Sequence, residues 1–247
     1  MKTAVGQIEA YSAAFRDLVN VKIRPTGIDI REALRLSKDE DWSFLCVSMD
    51  IIGDACTAID SFLKFGLGGP TKYDDIGERY LRLYGILSAT YIQQEALLKL
   101  YQLMNVPPSL REIKERLAGL LIRTLRHKLS SHSTNYHDKD TQSIQSYVPI
   151  RIDLQDFNCT YGMGGRGSQE SVDLKVAIDE HLSVMIDLLD KILEKAIRTL
   201  FKGQETCEIC LDFTERLKEL RVEKDGGFVI QVSNGNKLII TLTPEEN

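Results

Sequence analysis

Residues 109–132 read SLREIKERLAGLLIRTLRHKLSSH. Ser109 followed by Glu112 is the S-x-x-E pattern of a capping box, in which each side chain answers an orphan backbone donor of the first helical turn. Behind it Leu110, Ile113, Leu117, Leu121, Leu125 and Leu129 recur at three and four, the spacing of one helix face. The spacing predicts a helix from 110 to about 131. It is locally basic, with Arg111, Lys114, Arg116, Arg123, Arg126 and Lys128 against Glu112 and Glu115. Its last turn opens RTLRHKLSSHSTNYH, residues 123–137, which holds three of the chain's four histidines.

Three more segments carry the same period. From Asp41, the positions Trp42, Leu45, Met49, Ile52, Cys56, Ile59 and Leu63 form a stripe that stops at Gly66. A second helix is predicted from about 74 to 104, with Leu81, Tyr84, Leu87, Tyr91 and Leu98 on one face and Ile92, Ala96 and Leu100 widening the apolar arc. A fourth, from about 171 to 202, carries Leu174, Ile178, Leu182, Met185, Leu189, Ile192 and Leu200 and stops at Gly203. The expected fold is therefore mainly α, an up-and-down four-helix bundle over residues 41–203.

Between the third and fourth helices, residues 133–170 are too many for a plain bundle loop and read as an insertion. It holds YVPIRIDL, the mark of a short hairpin, and the glycine run GMGGRGS, which has little to bury, so residues 141–170 of the insertion are expected to be mobile or only partly ordered. Residues 1–40 read as an N-terminal extension of two shorter helices, 4–22 and 29–37. Residues 204–247 read as a helix, 208–222, followed by FVIQVSNGNKLIITL, whose alternation around Asn234-Gly235 predicts a small C-terminal β-hairpin.

Composition excludes several classes. The chain has 247 residues, 43% hydrophobic and 27% charged, which suits a globular protein and neither a collagenous nor a disordered one. No stretch reads as a signal peptide or membrane span, so the expected location is the cytoplasm, away from membranes. Five cysteines, an odd number, suggest reduced thiols rather than a disulfide framework. A net charge of −5 gives no global attraction to nucleic acid, so any such role needs a local basic patch.

Weaker signals receive plain readings. Gly162, Gly164 and Gly167 spell G-x-G-x-x-G without the strand-to-helix context of a dinucleotide loop. Cys207 and Cys210 form one C-x-x-C with no second ligand pair beside it, so a thiol or zinc site is the least favoured reading. His181 falls on the apolar stripe of the fourth helix and reads as a satisfied, partly buried histidine. No cluster reads as metal ligands, and no metal or other cofactor is assigned.

Arg126 and His132 stand six apart, about 9 Å along an unbroken helix and turned by about 120°. One copy would hold them apart; two basic helices meeting across a two-fold axis would gather both kinds of residue in one cleft suited to a phosphodiester. At RHKLSSH, residues 126–132, the sequence resembles the HEPN family of helical-bundle domains, named for nucleotide binding in higher eukaryotes and prokaryotes. Their motif is an arginine, usually followed by a polar residue, then a histidine after four to six intervening positions near the end of the third helix. The resemblance covers about 41–202, including YLRLYGILSATYIQQEALLKLYQLM, and departs from the family where His127 stands in place of the commoner asparagine or aspartate.

The resemblance implies a homodimer that cleaves RNA without metal, as a defence or RNA-control enzyme such as the toxin of a toxin–antitoxin pair. On that reading His132 is the acid–base, Arg126 the phosphate clamp and His127 an orienting residue, with Arg123, Lys128 and Arg116 contacting RNA. A cognate antitoxin or regulatory protein would be a further partner. The alternative is a non-catalytic HEPN-like module for interaction or nucleotide sensing.

Overall fold

The computed structural model describes residues 2–26, 29–71, 73, 75–138, 142–164, 167–231 and 237–241, the side chains of 22–26 and 231 excepted. The chain is mainly helical: α1 Ala4–Thr26, α2 Ile30–Ala33, α3 Asp41–Phe65, α4 Ile76–Leu103, α5 Leu110–Ala118, α6 Leu121–Arg126, α7 Leu174–Leu200 and α8 Glu208–Lys224. A π-helical turn, His127–Ser131, continues α6 directly. The strands are β1 Tyr136–Asp138, β2 Ser143–Gln145, β3 Tyr147–Pro149, β4 Asn158–Met163, β5 Gln169–Asp173, β6 Phe228–Gln231 and β7 Lys237–Ile240. They pair antiparallel in three small sheets, β1-β2, β3-β4-β5 and β6-β7.

The chain divides into two compact units, Met1–Gly53 with Leu97–Pro107 and Leu182–Asn247, and Asp54–Ala96 with Pro108–His181. Residues of α3, α4 and α7 belong to both. In the first unit α1 buries Ile8, Tyr11, Phe15 and Leu18, and α8 buries Cys210, Phe213, Leu217 and Leu220, each at helical spacing. Asp190 is buried yet well answered: the Tyr11 hydroxyl donates to it at 3.0 Å, and Arg221 forks onto its two oxygens at 2.8 and 2.9 Å. A carboxylate out of water is tolerated only with such partners. Cys207 caps α8, its sulfur accepting from the Cys210 N–H at 3.4 Å, so the C-x-x-C is used to start a helix. The C-terminal hairpin runs in register from Phe228↔Ile240 to Gln231↔Lys237, and its expected Asn234-Gly235 turn lies outside the described residues.

In the second unit two expectations are corrected. The helix expected from 110 to 131 is three pieces. Leu120 adopts an extended backbone, ψ 133°, and serves as the cap of α6, so the face rotates: Leu117, Leu120, Ile122, Leu125 and Leu129 are buried while Leu121 is exposed. The insertion, expected to be mobile, packs as a sheet that buries Tyr147, Leu154, Cys159 and Tyr161. Burial pushes the Cys159 thiol up to about 12, which keeps it protonated and unreactive. Gly66 ends α3 at φ +58°, and a Cβ there would stand 2.6 Å from the Asp156 carbonyl, which accepts from the Leu67 N–H at 2.7 Å. The Phe62 and Phe157 rings meet edge to face at 5.9 Å, so the insertion is fastened to α3 by apolar and backbone contacts together.

Of the glycine run, the part up to Gly164 joins this sheet, and residues 165–166 lie outside the described residues. Gly162 lies in β4, and the Gly164 N–H donates to the Ser146 carbonyl at 2.9 Å, close enough that a Cβ on Gly164 would collide with that serine's hydroxyl. The run leads to β5 rather than to a helix N-terminus, which removes the geometry of a phosphate loop. Among the described residues α3 is the one helix long and apolar enough to cross a membrane. It reads instead as a core helix, because Leu45, Met49, Ile52, Cys56, Ile59 and Phe62 are buried in protein while Asp50 and Asp54 lie exposed.

Candidate functional site

The π-helical turn decides the geometry around Arg126 and His132. The His132 N–H donates to the His127 carbonyl at 2.8 Å, an i→i+5 bond. One such turn carries His132 back over His127, and the two imidazoles stack with centroids 5.8 Å apart and planes at 23°. The π turn thus links His132 to the residue next to Arg126 within a single chain, where an unbroken helix would turn it away. Tyr91 of α4 completes the group: its ring meets His127 edge-on at 6.3 Å, with the Arg126 guanidinium 3.5 Å from its centroid and that of Arg123 at 4.8 Å. Arg126, Tyr91, His127 and His132 thus form one connected cluster.

Two of the three expected RNA contacts are held within the protein. Arg123 donates to Gln94 at 3.0 Å and to Glu95 at 2.9 Å, with only 16% of its side chain exposed. Lys128 reaches the Tyr161 hydroxyl at 3.3 Å and Glu170 at 3.5 Å, and lies over the Tyr147 and Tyr161 rings at 4.7 and 5.2 Å. The third, Arg116, is exposed on α5, before the break at Leu120. The sheet also fixes the chain just beyond the π turn, since the Tyr147 N–H donates to the Ser133 carbonyl at 2.7 Å. The insertion therefore positions the turn that carries the histidines, through Lys128 within it and Ser133 just after it.

Behind Arg123 lies a wholly polar chain in an apolar core. The Gln94 carbonyl oxygen accepts from Arg123, which turns its amide nitrogen toward His181 Nδ1 at 3.2 Å. His181 Nδ1 is thus the acceptor, and Nε2 carries the proton, donating to Gln93 at 2.8 Å. The Gln93 amide in turn donates to the Cys56 sulfur at 3.3 Å. His181 is fully buried, and burial pushes its pKa down to about 3, so it is neutral and serves as a fixed spacer between two glutamines. The satisfied histidine expected at this position is found, more deeply buried than its stripe suggested.

Sequence reasoning placed Tyr91 in the apolar face of its helix and missed its part in the cluster. The signal was present in the spacing: Tyr91, Gln94 and Glu95 stand at i, i+3 and i+4, one face of α4, and all three address Arg123. Tyr91→Leu should keep the apolar contact and lose two cation–π partners, each worth about 0.5–2 kcal/mol. The expected result is a melting temperature lower by a few degrees and weaker RNA binding, checked by thermal melts and filter binding. Among the described residues no group of three or more His, Cys, Asp and Glu side chains could hold a metal.

Comparison with protein-family models, with curated proteins and with solved structures gives no match in any of the three.

Proposed function

We propose that the chain is a HEPN-like, metal-independent endoribonuclease of the cytoplasm, acting in defence or RNA control. The observation that carries the reading is the π turn, which stacks His132 on His127 beside an arginine held on the face of Tyr91. One imidazole takes the proton of a ribose 2′-hydroxyl as its oxygen attacks the phosphorus. The P–O5′ bond breaks, and the other imidazole gives a proton to the leaving 5′-oxygen. Arg126 offers planar donors to the charged phosphorane. The products are a 2′,3′-cyclic phosphate and a 5′-hydroxyl, and the chemistry needs no metal.

The same reading includes a homodimer. Helix α4 is apolar on opposite sides: Leu83, Ile86 and Leu87 are buried, while Leu81, Tyr84 and Ile92 are exposed, and nothing lies within 4 Å of where a Cβ on Gly85 would be. A second copy laid along this stripe would cover it and bring two clusters together, because Ile92 adjoins Tyr91. Ile92→Arg is expected to give a monomer in light scattering at tens of micromolar with much reduced cleavage. A variant that stays dimeric, or a wild type that is a monomer, contradicts this interface.

The internal engagement of Arg123 and Lys128 favours a second reading, a non-catalytic HEPN-like interaction or nucleotide-sensing module, because it leaves fewer cations for an RNA strand. Incubation of metal-free protein with structured RNA separates the two.

A further inference from the structure

All five cysteines are free thiols, and the surroundings of three of them leave little chemistry open. Cys56 is fully buried and its sulfur accepts from the Gln93 amide at 3.3 Å. Burial holds the Cys159 thiol protonated, and burial together with the Asp50 carboxylate pushes the Cys46 thiol up as well. Cys207 and Cys210 remain. They share the first turn of α8, the first half-buried and the second buried.

Capping alone does not account for Cys207. The residues that start helices well are Ser, Thr, Asp and Asn, whose oxygens are strong acceptors, whereas a sulfur is a weak one. Cys207 nonetheless holds the cap position at ψ 145°, with its sulfur bent over the turn to 3.4 Å from the Cys210 N–H. Residues three apart at a helix start lie about 5 Å apart between Cα atoms, inside the range of roughly 4.4–6.8 Å that a disulfide spans. The two sulfurs can therefore join with the backbone of the turn left in place. Access is unequal: residues 202–206, Glu208 and Ile209 around Cys207 are exposed, while Cys210 lies on the buried stripe with Phe213 and Leu217. An open sulfur backed by a sheltered one suits an attacking thiol and a resolving thiol.

We propose that Cys207 and Cys210 form a redox-active dithiol that exchanges with disulfides carried on cationic partners. The Cys207 thiolate attacks one sulfur of the partner's disulfide; that S–S bond breaks, and the other sulfur leaves as a thiolate and takes up a proton. Cys210 then loses its proton and attacks the Cys207 sulfur, which releases the second thiol. The chain ends oxidised by two electrons, with a Cys207–Cys210 bond, and the partner ends as two thiols. The charge of the partner follows from the acids beside the site, Glu205, Glu208 and Asp212 against Lys202, whose field draws cations and repels anions. The site is independent of the histidine cluster.

The test is intact-mass spectrometry of the reduced 247-residue chain treated with cystamine, a cationic disulfide, or with anionic dithiodipropionate, followed by digestion. Wild type is expected to lose two hydrogens and keep no adduct, with the new bond in the peptide that spans Cys207 and Cys210. Cys210→Ala should instead retain one cysteamine on Cys207, because no sulfur resolves it. Cys207→Ser should slow oxidation by more than about tenfold while keeping or raising the melting temperature, since a hydroxyl caps better. Cystamine should outrun dithiodipropionate by about tenfold at low salt, and the ratio should shrink toward about 1 M salt. A wild type that stays a dithiol or keeps its adduct overturns the proposal. So does a Cys207→Ser chain that is oxidised at the wild-type rate or melts well below wild type, or a rate ratio indifferent to salt.

Discussion

His132→Ala is expected to lower the rate of RNA cleavage by about 10² to 10⁴ while leaving the fold in place. The side chain lies at the end of the π turn and its ring stacks on His127, so truncation should cost well under ~1 kcal/mol of stability. Circular dichroism and melting curves check the second half. Arg126→Ala should be comparably damaging and should weaken RNA binding as well, since it removes a phosphate contact. Arg126→Lys should restore little, because a lysine keeps the charge without the planar group that lies over Tyr91. A His132→Ala protein with full activity removes the histidine from the chemistry.

His181→Ala is expected to produce the largest loss of stability, about 3–5 kcal/mol, from a cavity and two orphaned buried amides. For a chain of this length that is roughly 10 °C or more in melting temperature. The same residue gives the wild type an acid sensitivity of defined sign. Folding pushes the His181 pKa down to about 3, while the unfolded imidazole keeps its ordinary value of about 6.5. Below that value the unfolded state binds a proton that the folded state refuses. Stability is thus full above about pH 6.5 and falls as pH drops toward 3, by about 1.4 kcal/mol per unit. Melts between pH 7 and 4.5 should show this slope in wild type and a smaller one in His181→Gln. Equal slopes would mean that other groups carry the acid sensitivity.

The helical character of α3, α4, α7 and α8 was legible in the sequence, because in each apolar residues recur at three and four, and α3 and α7 meet plain stops at Gly66 and Gly203. The segment from 110 to 131 was legible only as helical. Its leucine spacing continues smoothly across Leu120, and neither the extended backbone there nor the i→i+5 bond at His132 leaves a mark in hydrophobic period. The insertion was misread for a related reason. Glycines that suggested mobility include one kept for close approach, Gly164 to Ser146, and the strands around them are short. The polar chain from Cys56 through Gln93, His181 and Gln94 to Arg123 is built of bonds spanning up to 88 positions each, so no local pattern could announce it.

The most direct measurement is the chemical nature of the ends left on RNA by the 247-residue chain, freed of metal and kept in EDTA. An Arg126–His127–His132 site predicts fragments ending in a 2′,3′-cyclic phosphate and beginning with a 5′-hydroxyl. It also predicts no cleavage where a single 2′-deoxynucleotide replaces the ribose at the cut. Cleavage that requires added metal, continues at the 2′-deoxy position or leaves 5′-phosphates would contradict the site, as would intact RNA after prolonged incubation with the protein.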